Sequence, residues 1–243
     1  MSIVLHLGKK AYKLRFHWSF VITVLVLILI LFFVLNRIEP LQDAFAPVTG
    51  RSILIDAGHG GIDAGVTGKV TGSREDDLNL SVAKKLRIHF EKSGARVVMT
   101  REHKEGIYDQ NGSFEKSKKQ DMLRRSEIIN NSHVDLVISI HMNKYPDPIY
   151  YGAQTFYQKG SPGGKILAET IQHQMIQTLD QNNKREAQAS DYFILRCSSL
   201  PSVIVECGFM SNVEEEKLLV RSEYQEKIAW SIYTGVMKYF AAP

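Results

Sequence analysis

Apolar and polar positions divide the chain into two unlike parts. Residues 18–35 contain no charged side chain. As a helix this run would be roughly 27 Å long, close to the hydrocarbon thickness of a bilayer. Beyond about residue 50, short apolar runs alternate with stretches in which apolar residues recur at helical spacing. Ile53, Leu54 and Ile55 read as a buried strand that stops at the turn Asp56-Ala57-Gly58-His59-Gly60-Gly61. A helix capped by Asp77 is predicted to run to about residue 92. Leu78, Leu80, Val82, Leu86 and Phe90 form its apolar face, and Ser93-Gly94 ends it.

Further strands are predicted at 96–99, 134–140, 153–157, 191–195 and 202–205. Further helices are predicted at 121–131, 165–179, 213–219 and 224–240. Residues 101–119 read as a charged loop. Its lysines 116, 118 and 119 form either a solvated surface or a lip that meets an anionic polymer. The alternation predicts an α/β fold: a doubly wound, mostly parallel twisted sheet flanked by helices, preceded by one N-terminal transmembrane helix. The organisation expected is a basic cytoplasmic segment (1–17), a membrane anchor or signal sequence (18–35), a linker with Pro40, Pro47 and Gly50 (36–50), and one α/β domain (51–243).

Charge orients the first part. Lys9, Lys10, Lys13 and Arg15 precede the apolar run and only Arg37 closely follows it, which puts the N-terminus in the cytoplasm and the remainder outside. Cleavage is the alternative. Ala44-Phe45-Ala46 has the small-x-small look of a cleavage site, although it lies far from the apolar run and Pro47 would follow the cut. Formal net charge is +4, of which residues 1–50 carry +3 (five Lys/Arg against two Asp/Glu). The large domain is nearly neutral, so nucleic acid is not an expected partner. Cys197 and Cys207 are too few for a disulfide scaffold or a zinc ribbon, and a disulfide between them is left open.

Three predicted strands end at titratable residues: His59, His141 and Glu206. Glu75 lies in the segment leading into the first helix. In an open α/β sheet all four should meet at the carboxyl rim, where ligands bind. Two histidines and one glutamate are a ligand set for catalytic zinc, and a second, free carboxylate can move protons. Spacing does not say which glutamate takes which part. The glycine turn is not a P-loop, because it lacks the Lys-Ser/Thr pair and a following helix. Cys207 beside Glu206 reads as a small buried residue rather than a nucleophile.

Four motifs carry a family resemblance: Ile55 to Gly61, Arg74 to Leu80, Ser139 to Asn143, and Val205 to Asn212. In this order and spacing the chain resembles the zinc-dependent N-acetylmuramoyl-L-alanine amidases of the type-3 class, over about residues 52–240. The resemblance implies that His59, Glu75 and His141 bind zinc (Zn2+) and that Glu206 is the catalytic carboxylate. It further implies a peptidoglycan substrate and allows for a protein activator. Two positions depart from the family pattern: Asp76 in place of Lys, and Met142 in place of Ala. The first puts a second acid near the site and the second could narrow the groove. Arg125 and Asn130 also match the family and read as structural. An anchored catalytic domain without repeats or a wall-binding module resembles the spore-cortex members, which implies roles in muramic-lactam formation and germination. A catalytically silent peptidoglycan-binding or partner-regulated protein on this fold, and a zinc peptidase acting on stem peptides, are the competing expectations.

Overall fold

The computed structural model describes residues 2–7, 10–15, 18–37, 46–109 and 112–242. The chain forms two compact units, Met1–Ala44 and Phe45–Pro243. In the first, β1 (Ser2–Leu7) and β2 (Lys10–Arg15) pair antiparallel, with Ser2 opposite Arg15 and Leu7 opposite Lys10. This hairpin stands where only a basic segment is expected. α1 (Trp18–Arg37) follows. Its side chains are described to residue 32, and its large apolar ones are exposed, from Trp18 through Leu25 to Ile30. Among the described residues, which for α1 include side chains only to residue 32, no helix is long and apolar enough to cross a membrane. Most of the expected linker, and the cleavage-like Ala44-Phe45 pair, lie outside the described residues.

The second unit runs β3 (Ser52–Ala57), α2 (Glu75–Lys92), β4 (Arg96–Met99), α3 (Phe114–Asn131), β5 (Leu136–Asn143), β6 (Gln154–Gln158), α4 (Pro162–Leu179), β7 (Gln188–Ser190), α5 (Phe193–Arg196), β8 (Ser202–Phe209), α6 (Val213–Leu219) and α7 (Ser222–Ala241). The six strands lie in the order β4-β3-β5-β8-β6-β7. β4, β3, β5 and β8 run parallel to one another, as β-α-β crossovers require. β6 joins β8 antiparallel, and β7 then runs parallel to β6.

Alternation along the strands sorts two cores. Ile53, Ile55, Leu136, Ile138, Ile140, Val203 and Val205 face α2, α4 and α7, where Leu86, Phe90, Ile171 and Ile232 are fully buried. Each such side chain contributes about 1.5–3 kcal/mol by burial. Leu54, Val137 and Ile204 face the other way, against Ile129, Ile194 and Leu195. On this second face the residues turn polar towards the carboxyl rim: Leu54 is followed by Asp56, Val137 by Ser139 and His141, and Ile204 by Glu206.

Several expectations are corrected. α2 begins at Glu75, and Asp77 is a first-turn acid rather than the cap, since the cap residue Arg74 makes no side-chain capping bond. Three consecutive acids therefore complement the helix dipole. α3 begins at Phe114 instead of residue 121, with Ser113 accepting the Lys116 N–H. Its buried side includes Ser117, Asp121 and Arg125 at four-residue intervals, which apolar periodicity does not detect. Residues 191–195 are not a strand: β7 lies just before them and α5 takes the apolar residues. β5 and β8 continue past His141 and Glu206 rather than ending there. Cys197 and Cys207 are free thiols, the second fully buried.

Candidate active site

The turn after β3 is held from below by two buried guanidinium groups. Arg101 donates to the Ala57 and Gly58 carbonyls at 2.9 and 3.0 Å. Arg125 donates to the Ala57 and His59 carbonyls at 2.9 and 2.6 Å and pairs with Asp56 and Asp121. Asp56 also accepts from Thr100 and Ser139. Burial opposes its charge, but the Arg125 guanidinium and these hydroxyls hold the Asp56 carboxyl down at about 2. The fastening matters because His59 has φ 61°, a left-handed conformation that costs a non-glycine residue about 1–3 kcal/mol.

His59, Glu75 and His141 converge here. Glu75 Oε1 lies 3.3 Å from His59 Nε2 and 3.2 Å from His141 Nδ1. One ligand atom from each residue falls within 4.8 Å of the others. Glu75 is further fixed by the backbone N–H groups of Val66 (2.9 Å) and Met142 (3.1 Å). Its burial would raise its carboxyl, but the two imidazoles outweigh burial and hold it well below the carboxylate range. Burial likewise works against charge on His59, yet hydrogen bonds to Asp63 and Glu75 raise it to about 9. Glycines make the approach possible. A Cβ on Gly58 would run into the His141 ring, and one on Gly65 would run into the Glu75 carboxylate.

Glu206 stands opposite His141 across the β5–β8 pairing. The residue is half-buried, but its Oε2 is shut off from solvent and has no hydrogen-bond partner. Burial pushes its carboxyl up to about 7, with Glu75 adding to the rise and His141 and His59 pulling against it. The four residues share a cavity of about 570 Å³ whose wall includes Tyr108, Lys118, Met142, Tyr192 and Ile194. Two imidazole nitrogens and a carboxylate oxygen form a donor set suited to zinc, and the partnerless Glu206 oxygen beside them is a poised proton acceptor. The donor chemistry and the convergence therefore fit such an ion.

Asp76 adds little free charge to the site. It is buried and doubly bonded by Arg74, at 2.9 and 2.8 Å. Met142 is also buried, packed in the core with one side contributing to the cavity wall. Asn130 donates to the Cys197 carbonyl at 2.9 Å. Neither Arg101 nor Asp63 stands out in the apolar pattern or the four motifs of the sequence. Asp63 lies 3.0 Å from His59 Nδ1, four residues on within the same glycine turn, and that spacing was the available signal.

Such an arrangement, on the carboxyl rim of an open α/β sheet, is the kind of site that a metal-assisted amide hydrolase would use. Residues 53–238 match the family described as N-acetylmuramoyl-L-alanine amidase, and the chain belongs to that family. It is similar to the germination-specific N-acetylmuramoyl-L-alanine amidase of Bacillus subtilis (strain 168), with 31% identity over 91% of this chain and 93% of that one. Among solved structures it resembles the CwlD amidase from Clostridioides difficile, determined in complex with the GerS lipoprotein. The identity is 42% and the TM-score 0.77, covering 79% of this chain and 98% of that one. An N-acetylmuramoyl-L-alanine amidase from Clostridium difficile 630 aligns at 29% identity and TM-score 0.70, over 79% and 97% of the two chains. The activity is accordingly that of an N-acetylmuramoyl-L-alanine amidase acting on peptidoglycan.

Proposed function

We propose that this amidase works with a zinc ion held by His59, Glu75 and His141, and that Glu206 is its catalytic carboxylate. The observation that carries the reading is the meeting of three ligand atoms within 4.8 Å beside a buried, partnerless Glu206 oxygen. Bound zinc supplies Lewis-acid polarisation of the scissile carbonyl and makes water acidic near neutral pH. The chain's own residues do the rest. Glu206 Oε2 takes a proton from the attacking water and returns it to the departing amine of L-alanine. The cavity walls, with Tyr192 and Ile194, hold the scissile bond out of bulk water.

The substrate proposed is spore-cortex peptidoglycan, where loss of the stem peptide precedes muramic-lactam formation and serves germination. Similarity to a germination-specific amidase supports this placement. We place the enzyme outside the cytoplasmic membrane, anchored by residues 18–35. The uncharged sequence and the exposed apolar side chains of α1 support an anchor. A lipoprotein partner is proposed by analogy with the complex formed by the CwlD relative.

The test is mass analysis of cortex and vegetative peptidoglycan after digestion, with and without a chelator. Expected products are intact stem peptides beginning with L-alanine, abundant from cortex and absent under chelation. Internal peptide fragments would instead indicate a stem peptidase. Undiminished release under a strong chelator would overturn the zinc assignment. Recovery of the full-length protein in the soluble fraction would overturn the anchor.

A further inference from the structure

We infer that Asp63 and Lys118 together set how tightly the His59–Glu75–His141 site holds its metal. Asp63 is a positioning residue for His59, and Lys118 is a brake on Asp63. This rests on the zinc reading of the site given above.

The geometry forms a line. His59 Nε2 faces Glu75 Oε1 at 3.3 Å, and on the opposite side of the ring Nδ1 meets Asp63 Oδ2 at 3.0 Å. A carboxylate accepting the Nδ1 proton fixes the tautomer, aims the Nε2 lone pair at the site and makes that nitrogen more electron-rich. Asp63 is itself fixed. Its backbone exchanges hydrogen bonds with Gly60 at 2.9 and 3.2 Å, and its Oδ1 accepts the Gly65 N–H at 3.2 Å. Its side chain is only 18% exposed, so solvent does little to dilute the contact.

Lys118 reaches the same oxygen. Its Nζ lies 3.0 Å from Asp63 Oδ2, the atom that meets His59. One carboxylate oxygen thus serves an imidazole and an ammonium group at once. The ammonium draws electron density from the carboxylate and weakens its pull on the Nδ1 proton. Lys118 comes from α3, and its side chain is 48% exposed. It can be changed without opening the core.

Two single substitutions therefore act in opposite directions, which a purely structural role would not produce. The full-length protein, Asp63→Asn, Lys118→Met and the double variant are stripped of metal and titrated with zinc against a chromophoric chelator at a pH above about 9, where the His59 ring is already neutral and proton competition drops out. Thermal unfolding of each metal-free protein checks its fold. Asp63→Asn is expected to bind zinc about 10- to 100-fold more weakly. Lys118→Met is expected to bind about threefold or more tightly, and to have no effect in the Asp63→Asn background, because its influence runs through Asp63. Wild-type affinity in Asp63→Asn, or unchanged or weaker binding in Lys118→Met, would overturn the inference. So would a Lys118→Met effect that survives loss of the carboxylate. Should Asp63→Asn fail to fold, Lys118→Met alone decides. A wild-type protein that takes up no zinc would bring down the site reading itself, whereas zinc uptake indifferent to both substitutions would bring down only this inference.

Discussion

His141 and Glu206 stand directly opposite one another on the parallel strands β5 and β8. In-register neighbours project to the same face of a sheet, so the register of one strand pair sets an imidazole beside a free acid. The irregularity that follows, between His141 and Asn143, re-aims the chain after the histidine rather than before it.

That pairing puts Glu206 beside the three proposed zinc ligands without making it one of them. Glu206→Gln keeps the size of the side chain and loses the ability to accept a proton. Turnover should fall about 100- to 10,000-fold while zinc content stays at the wild-type level. Stem-peptide release and metal analysis on the same preparation measure both. Normal turnover would remove Glu206 from the mechanism.

Metal loading should release a proton. In the metal-free protein His59 titrates at about 9, raised by Asp63 and Glu75 against the opposing effect of burial, so its ring is charged at pH 7. A ligand imidazole must be neutral. Zinc binding at pH 7 should therefore expel about one proton from this ring, and affinity should climb with pH until about 9. Calorimetric titration in buffers of different ionisation enthalpy reads the number directly, and a value near zero would contradict the charged state.

Gly58 lies against the His141 ring with no room for a methyl group. Gly58→Ala should push that ring off the site, weakening zinc binding at least about tenfold and lowering stability by about 1–3 kcal/mol. Chelator competition and urea unfolding report the two effects separately. Wild-type zinc affinity would mean that the ring has other room to move.

The buried Asp56–Arg125 pair gives the fold an acid limit. Asp56 titrates at about 2 in the folded chain, against an ordinary value of 3.8. Its contribution, about 2 kcal/mol, is complete above roughly pH 4 and disappears as the pH falls through about 2. Asp56→Asn should be less stable at pH 7 by about 3 kcal/mol, since Arg125 loses a buried partner. The gap to wild type should close in acid. Urea midpoints between pH 7 and 2 test this, and a constant gap would assign the acid limit to other carboxylates.

The legible parts of the sequence were those where apolar strands run into titratable residues. Ile53 to Ile55, residues 134–140 and residues 202–205 read as strands, and His59, His141 and Glu206 follow them. What stayed hidden had physical causes. The first two turns of α3 bury polar side chains, so hydrophobic spacing is silent there. Residues 192–195 form a short apolar run, equally compatible with a strand or a helical turn, and tertiary packing chose the turn. Asp63 meets the His59 ring and Arg101 holds the Ala57 and Gly58 carbonyls just before it, through contacts that only the fold creates. The shift from apolar to polar along one face of β3, β5 and β8 was visible residue by residue, but it gains meaning once the strands are known to be adjacent.

β8 lies near the middle of the sheet, although it is the last strand to be made. A growing chain that stops short of it would lack the partner that joins β5 to β6, and with it Glu206. Partial translation or clipping ahead of residue 202 should thus yield a fragment inert towards peptidoglycan instead of a merely weakened enzyme.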